Sequence, residues 1–235
     1  MKIYTYYHQL NDKYDHSEMV DLWKLSWERK GFEPIVLDQK DALTHPFYDE
    51  FTTRIKKLSK GIAGKDTSKY GMSCWERWLA YANQNNADKF FVSDYDMINY
   101  NFNPKTPPSN LSFYDEFCPC LASGNSKQFL KLCYNFIKLT KDNFDFLQKQ
   151  TNHFHDQEFF IYNGRKLQEI DNVTFTRSRP AIGEFFRGEI NEKVQIYHIA
   201  HANTDFLRKK IGGFWKEMKD DQEIRMHVIK KILKI

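Results

Sequence analysis

The chain has 235 residues, of which 41% are hydrophobic and 28% charged, and its formal net charge is +4. This length favours one substantial domain over two full enzyme domains, and the composition excludes an intrinsically disordered chain. Residues 206–235 contain nine Lys or Arg against four Asp or Glu, which leaves the first 205 residues at −1. This distribution argues against nucleic acid as a partner and favours a local contact of the C-terminal segment with something anionic.

The sequence carries no sign of export or of a membrane span. No run of about 18 apolar residues occurs, and the first ten residues lack the zones of a signal peptide, so we expect a cytoplasmic protein. The cysteines are Cys74, Cys118, Cys120 and Cys133. Since the C-P-C spacing is too tight for a usual zinc pair and no C-x-x-C motif occurs, we predict reduced structural thiols.

The first 38 residues indicate a βαβ unit. Residues 2–7 (KIYTYY) are typical of a strand, and residues 33–38 (EPIVLD) predict a second one. Between them, apolar residues recur at the helical spacing i, i+3, i+4 and i+8, namely Met19, Leu22, Trp23 and Trp27. A strand, a helix and a strand with short connections favour parallel pairing and a right-handed crossover.

The elements continue to alternate along the chain. A helix is predicted from Pro46 to about Leu58, a mobile loop over residues 61–71, and a second helix over residues 73–84. Beyond these, the patterns predict a strand at 89–93, a Pro-rich loop at 103–110, a strand at 117–122, a helix at 126–140, a strand at 194–201 and C-terminal helices with a break at Gly212 and Gly213.

Two aspartates follow the strand at residues 89–93 directly. Alternate residues of an extended segment point the same way, so Asp94 and Asp96 can converge on one ligand. Open α/β sheets place ligands at the carboxyl ends of their strands. A divalent ion held by one or two carboxylates commonly neutralises a bound nucleoside diphosphate. The acid pair therefore indicates a metal site at this edge of the sheet, while a solvated acidic turn is the simpler alternative.

The order of these elements, with FFVSDYD at residues 90–96, resembles the GT-A class of nucleotide-sugar glycosyltransferases, whose Asp-x-Asp motif occupies this place. The resemblance extends to about His201. It implies an α/β fold with a GT-A-like three-layer α/β/α catalytic domain over residues 1–205, a mainly parallel central sheet and a basic amphipathic helical extension over residues 206–235.

The resemblance also implies an activity. The enzyme would be a hexosyltransferase-like protein that uses Mn²⁺ or Mg²⁺ and moves a sugar from a nucleotide-sugar donor to a glycan or glycoconjugate acceptor. We expect a UDP-sugar as donor, with GDP-sugars and dTDP-sugars as alternatives.

The same resemblance implies the metal ligands and a catalytic residue. Asp94 and Asp96 would bind the metal, and His198 in YHIAH would complete its shell, with His201 as the alternative. Asp156 in NHFHDQEFF would be the general base if the enzyme inverts the anomeric configuration. If the enzyme retains that configuration, Asp156 would hold sugar hydroxyls instead.

Other residues are expected to bind the nucleotide sugar. They are Thr5, Tyr6, Lys69, Asp94, Gln157 and Lys209. Where many such enzymes follow the late His with a Gly and a Lys, this chain has HANTDFLRKK. Arg208 and Lys65 therefore remain alternatives for the diphosphate contact.

A phosphatase of the haloacid dehalogenase type is a second interpretation of the acid pair. In such phosphatases the first Asp of an Asp-x-Asp pair at a strand end is the nucleophile. In such enzymes the strand is usually the first of the domain, and a Gly or Thr tends to follow the second Asp. Here βα units precede the strand and Met97 follows the pair, so the glycosyltransferase is favoured.

A non-catalytic protein that binds a membrane surface is a third reading. The C-terminal helix carries apolar residues on one side (Ile224, Val228, Ile232 and Ile235) and lysines on the other (Lys230, Lys231 and Lys234), a pattern suited to an anionic bilayer. Such a helix more often packs its apolar side on its own domain. Peripheral membrane contact is thus an alternative for the tail.

Modified DNA is an alternative acceptor, as in viral enzymes that glucosylate bases. The basic tail permits it. The nearly neutral body argues against it, since duplex binding normally recruits many phosphate contacts.

Overall fold

The computed structural model describes residues 1–10, 15–85, 88–115, 118–176, 180–185, 189–211, 213–218 and 220–235. Its strands are β1 (Lys2–Tyr6), β2 (Glu33–Leu37), β3 (Phe90–Ser93), β4 (Met97–Asn99), β5 (Ser112–Phe113), β6 (Leu121–Gly124), β7 (Thr174–Phe175), β8 (Ile182–Glu184) and β9 (Ile196–His198). Its helices are α1 (Ser17–Glu28), α2 (Gln39–Leu43), α3 (Tyr48–Ala63), α4 (Lys69–Ala82), α5 (Ser126–Asp142), α6 (Phe144–Gln150), α7 (Asp156–Asp171), α8 (His201–Phe206), α9 (Phe214–Glu217) and α10 (Asp221–Leu233). The fold is therefore mixed α/β.

The larger sheet has the strand order β2-β1-β3-β6-β5-β7. Strands β2, β1 and β3 pair in parallel, as the βαβ prediction requires. Strand β6 runs antiparallel to both β3 and β5, and β7 is parallel to β5. The described residues between β3 and β6 contain no crossover helix, which parallel pairing would need. The sheet was expected to be mainly parallel, and the reversed strand β6 makes it a mixed sheet.

Both faces of this sheet are covered by hydrophobic residues. On one face, Tyr4 of β1 and Phe90 of β3 belong to a cluster with residues of α3, α4, α5 and α7. On the other face, Ile3 and Phe91 belong to a second cluster with residues of α1 and α10. Neighbouring residues of one strand point to opposite faces, so the sheet is the middle of three layers.

A smaller sheet of order β4-β9-β8 lies beside the carboxyl end of β3. In its antiparallel β4–β9 pair, Met97 lies opposite His198. Since Met97 directly follows Asp96, this pairing brings a residue from late in the chain beside the acid pair.

The connection between α3 and α4 is shorter than predicted. Helix α3 continues to Ala63, and Gly64, at φ +68°, ends it in the left-handed conformation. Ser68 then caps α4 by accepting a hydrogen bond from the Gly71 amide at 3.0 Å. The predicted loop over residues 61–71 was wrong at both ends, because residues 61–63 belong to α3 and residues 69–71 belong to α4. A Cβ at Gly61 would come within 2.6 Å of the Phe144 ring, so this helical position has no room for a side chain.

The C-terminal segment packs on the main domain. Ile224, Val228 and Ile232 of α10 are buried in the same cluster as Trp23 and Trp27 of α1. These are three of the four apolar residues that a membrane contact would need, and they pack against α1 instead of facing outward. The fourth, Ile235, is 55% exposed. No described helix is long and apolar enough to cross a membrane. Gly213 breaks the helix at φ +57°, and Gly212 lies outside the described residues.

Candidate active site

The segment Asp94–Asp96 connects β3 to β4 and is held by backbone hydrogen bonds from two sides. The Asp94 amide donates to the Cys120 carbonyl at 2.9 Å, and the Ile199 amide donates to the Asp96 carbonyl at 2.9 Å. The acid pair is therefore not a loose surface turn. It is fixed between the start of β6 and the end of β9.

Two tryptophans of α1 form hydrogen bonds with the residues on either side of the same segment. The Trp23 indole donates to Ser93 Oγ at 2.9 Å, and the Trp27 indole donates to the Met97 carbonyl at 3.0 Å. Both rings are fully buried. The spacing of four residues predicted from the helical pattern thus places two indole donors on either side of the aspartates.

We expect Trp23→Phe to destabilise the chain more than Trp75→Phe. Both tryptophans are fully buried, but the Trp75 indole nitrogen has no hydrogen-bond partner in the structure, so it reports the loss of ring volume alone. The lost bond to Ser93 should add about 1–2 kcal/mol. Urea unfolding of both variants measures the difference. Equal losses of unfolding free energy in the two variants would mean that the indole–Ser93 hydrogen bond does not hold the segment.

Asp96 has one occupied and one unpartnered oxygen. Its Oδ2 accepts a hydrogen bond from Arg225 Nη2 at 2.7 Å, and the Arg225 side chain is only 2% exposed. Its Oδ1 is buried, has no hydrogen-bond partner in the structure, and lies 3.7 Å from His198 Nε2. A buried carboxylate oxygen without a donor is costly, so this atom points to a ligand that is a cation or a hydrogen-bond donor.

His201 is a weaker candidate than His198 for a metal ligand. Its Nε2 lies 3.4 Å from Arg225 Nη1, beside a positive charge, and its side chain is 68% exposed. The geometry therefore favours His198, which is 13% exposed and lies beside Asp96 Oδ1.

Arg77 of α4 connects Asp94 to Asp156. Its guanidinium forms an ion pair with Asp94 and donates two hydrogen bonds to Asp156 Oδ2, from Nη2 at 2.6 Å and from Nε at 3.0 Å. The Trp78 indole donates to the same oxygen at 2.9 Å. Asp156, the first residue of α7, is thereby buried and paired, and among the described contacts Arg77 is what connects it to the acid pair.

The charged groups of this cluster shift one another's pKa values. Burial alone would raise the pKa of Asp156, but the positive charge of Arg77 and the bonds from His155 and Trp78 outweigh it and hold that pKa below its usual range. Burial raises the pKa of Asp94, and the nearby Asp96 raises it further against the effect of Arg77. Asp156 is thus a firmly ionised partner of Arg77, a state that suits a structural anion better than a general base.

The other predicted nucleotide-sugar residues are spread over several surroundings. Thr5 is fully buried and its hydroxyl has no hydrogen-bond partner in the structure. The Tyr6 hydroxyl donates to Glu76 Oε2 at 3.4 Å, beside the Tyr48 hydroxyl, which donates to Glu76 Oε1 at 2.7 Å. Tyr6 lies near the carboxyl edge of β1, where a ligand is expected, but Thr5 has no surface to offer one.

The remaining three residues are exposed. Lys69 is the first residue of α4 and Gln157 the second of α7. Lys209 lies in a π-helical turn (Leu207–Ile211) and pairs with Asp205 at 3.0 Å. The Lys209 contact is with the helix α8 just before its own turn, and no described contact connects Lys209 to the acid pair.

Sequence reasoning missed both arginines of the site. Arg77 lies between Glu76 and Trp78 in a helix whose neighbouring residues are buried, and Arg225 lies next to Ile224 in the apolar stripe of α10. A cation inside a buried stripe is the signal that could have found them, since such charges are almost never buried unless paired.

Part of the chain matches a known family. Residues 1–87 are similar to a domain of unknown function (DUF8765). The matched part contains Thr5, Tyr6, Lys69 and Arg77 and ends before Asp94, so it holds the βα units that support the site but not the acid pair. The comparison with curated proteins gave no match.

Proposed function

We propose that this protein is a metal-dependent glycosyltransferase with a GT-A-like fold that takes a nucleotide sugar, most simply a UDP-sugar, as its donor. One observation carries the proposal: Asp96 presents a buried, unpartnered Oδ1 at the carboxyl edge of the parallel strands, 3.7 Å from His198 Nε2. Asp94 is fixed two residues away on the same segment.

The donor atoms fit a divalent cation. Asp96 Oδ1 and His198 Nε2 form an N/O pair, and imidazole suits transition metals while carboxylate suits Mg²⁺ and Mn²⁺. The Asp94 carboxylate is held by Arg77 and would join this pair by turning away from that arginine. Two ligand atoms 3.7 Å apart can both reach an ion at about 2.0–2.2 Å from each. Asp94, Asp96 and Asp156 each pair with a guanidinium, of Arg77 or Arg225, which leaves Asp96 Oδ1 buried without a hydrogen-bond donor. Mn²⁺ fits this set better than Mg²⁺.

The protein's own residues would prepare the reaction. A bound divalent ion would supply charge stabilisation for the departing diphosphate. Arg225 holds Asp96 through Oδ2 and so leaves Oδ1 turned toward His198, while Arg77 holds Asp94. The acceptor in this proposal is a glycan or glycoconjugate. Its hydroxyl oxygen forms a bond to the anomeric carbon as the bond from that carbon to the nucleoside diphosphate breaks, and the hydroxyl proton passes to the departing diphosphate or to solvent.

Asp156 has a different role in this proposal from the one expected from sequence. Its Oδ2 accepts three hydrogen bonds and its pKa is lowered, so it is poorly suited to take a proton from an acceptor. We assign it as the residue that positions Arg77, and through Arg77 it positions Asp94.

A ligand screen tests the proposed function directly. UDP, GDP, dTDP and their sugar conjugates are added to the full chain with and without Mn²⁺, and the thermal unfolding midpoint is measured. A ligand present at 100 times its dissociation constant should stabilise the fold by about 2.7 kcal/mol. We expect one nucleotide class to stabilise the chain, and only with the metal. If neither Mn²⁺ nor any nucleotide changes the midpoint, the proposal is wrong.

A further inference from the structure

Two thiols and an imidazole from distant parts of the chain meet beside the acid pair. The ligand atoms of Cys118, Cys120 and His198 all lie within 4.8 Å of one another. Cys120 is fully buried, and Cys118 and His198 are half-buried. This grouping was not expected, because the spacing of C-P-C alone does not predict that a histidine some eighty residues later completes a set of three.

The backbone explains why the three residues converge. The Cys120 carbonyl accepts the hydrogen bond of the Asp94 amide, so β6 begins beside the acid pair. His198 lies opposite Met97 in the β4–β9 pair, on the other side of the same segment. The segment is fixed at both points, so Cys120 and His198 are held on the same backbone frame, and Cys118 lies two residues before Cys120.

From these contacts we propose that Cys118, Cys120 and His198 form a second cation site, for a soft divalent metal of the Zn²⁺ type. Thiolate and imidazole are the ligands that Zn²⁺ prefers, and three protein ligands leave a fourth position for water or a carboxylate. Glu184 lies opposite His198 in the β8–β9 pair and is the candidate for that carboxylate.

The three ligand atoms need to move only slightly closer together to bind this metal. Zinc bonds of about 2.3 Å to sulfur and 2.0–2.1 Å to nitrogen place tetrahedral ligand atoms roughly 3.5–3.8 Å apart. A group whose ligand atoms already lie within 4.8 Å of one another needs each distance to shorten by at most about 1.0–1.3 Å to reach that spacing. Each thiol gives up its proton as it binds, and the proton passes to solvent.

This site does not depend on the proposed glycosyltransferase activity. It shares only His198 with the Asp96 site, and its softer ligands select a different cation. If both sites exist, a zinc ion on the thiols competes with Mn²⁺ for His198, so zinc should weaken Mn²⁺ binding.

Cobalt(II) titration of the reduced full chain, without nucleotide, tests the site. Bound thiolate gives a cobalt charge-transfer absorption in the near ultraviolet, which carboxylate and imidazole alone do not give. We expect the band to saturate at one cobalt per chain and to be bleached by Zn²⁺ but not by an equal concentration of Mn²⁺. A chain whose thiols are all reduced and that shows no band overturns the proposal.

Cys118→Ser is the decisive variant, and Cys74→Ser is its matched control. Both residues are half-buried free cysteines, but Cys74 lies with His155 and Asp156. Cys118→Ser should weaken cobalt binding by at least the roughly 10–100-fold that loss of an outer-shell partner costs. Cys74→Ser should bind as the wild type does. A band that survives Cys118→Ser, or that disappears with Cys74→Ser, places the metal elsewhere and overturns the assignment.

A measurement on the wild-type chain keeps the test independent of folding defects. Zn²⁺ should protect Cys118 from alkylation, as read by peptide mass mapping, while Cys74 reacts at an unchanged rate. Equal reactivity of Cys118 with and without Zn²⁺ would overturn the proposal, and it would leave Mn²⁺-dependent nucleotide binding untouched.

Discussion

Arg77→Met should cost the folded chain about 3–5 kcal/mol, because it leaves buried carboxylates without their partner. The Arg77 side chain is 13% exposed and that of Asp156 is 2% exposed, and Asp156 Oδ2 would lose two of its three donors. Methionine keeps much of the side-chain volume, so the loss of stability measures the effect of removing the positive charge. Urea unfolding followed by circular dichroism measures it.

Two further variants test the cause of this loss. Arg54→Met is the matched control, since Arg54 pairs with Glu50 at 2.8 Å on the surface of α3 and is 57% exposed. A surface pair of this kind contributes about 0–1 kcal/mol. Adding Asp156→Asn to Arg77→Met removes one of the two uncompensated charges and should recover part of the stability. If Arg77→Met costs no more than Arg54→Met, the cluster is not an internal charge network.

Asp96→Asn should lower the affinities for Mn²⁺ and for the nucleotide diphosphate together, each by tenfold or more, which corresponds to at least about 1.4 kcal/mol. The amide keeps the shape of the carboxylate and can still accept the Arg225 hydrogen bond, but it no longer offers a charged oxygen to a cation. Free Mn²⁺ measured by electron paramagnetic resonance and UDP binding measured by calorimetry give the two affinities.

The stability of this variant must be separated from its binding. Arg225 is almost completely buried and would lose its charged partner, so a loss of about 1.5–3 kcal/mol in stability is expected as well. Binding is therefore compared at a temperature where circular dichroism shows the variant folded. Asp49→Asn, on the exposed side of α3, controls for the change in net charge. Wild-type binding by Asp96→Asn would remove the basis of the glycosyltransferase proposal.

Local sequence patterns predicted the first half of the fold well. The βαβ unit, the strand at β3 and the acid pair at its carboxyl end follow from periodicities that act over a few residues, and the structure has them in these places. The strand predicted at residues 117–122 overlaps β6, but its antiparallel direction was not predicted. The two-residue strands β5 and β7 were not predicted either, because such short pairings carry little local signal and are set by the partner strand.

The site was less predictable than the fold. Asp96 and His198 were expected together and lie 3.7 Å apart, whereas the Asp94 carboxylate pairs with Arg77, and the two arginines that hold the aspartates were not expected. Arg77 and Asp156 are 79 residues apart in sequence, and Asp96 and Arg225 are 129 apart. Partnerships over such separations depend on the packed fold, which no spacing rule reveals.

The contact between Asp96 and Arg225 has a consequence for how the chain is made. The aspartate is synthesised long before the arginine that neutralises it, and the helix that carries this arginine, α10, also covers one face of α1. Until α10 emerges from the ribosome, the earlier residues hold an exposed apolar surface and an acid without its counter-charge. We therefore expect the domain to mature in one late step, with nascent chains that lack α10 depending on chaperones.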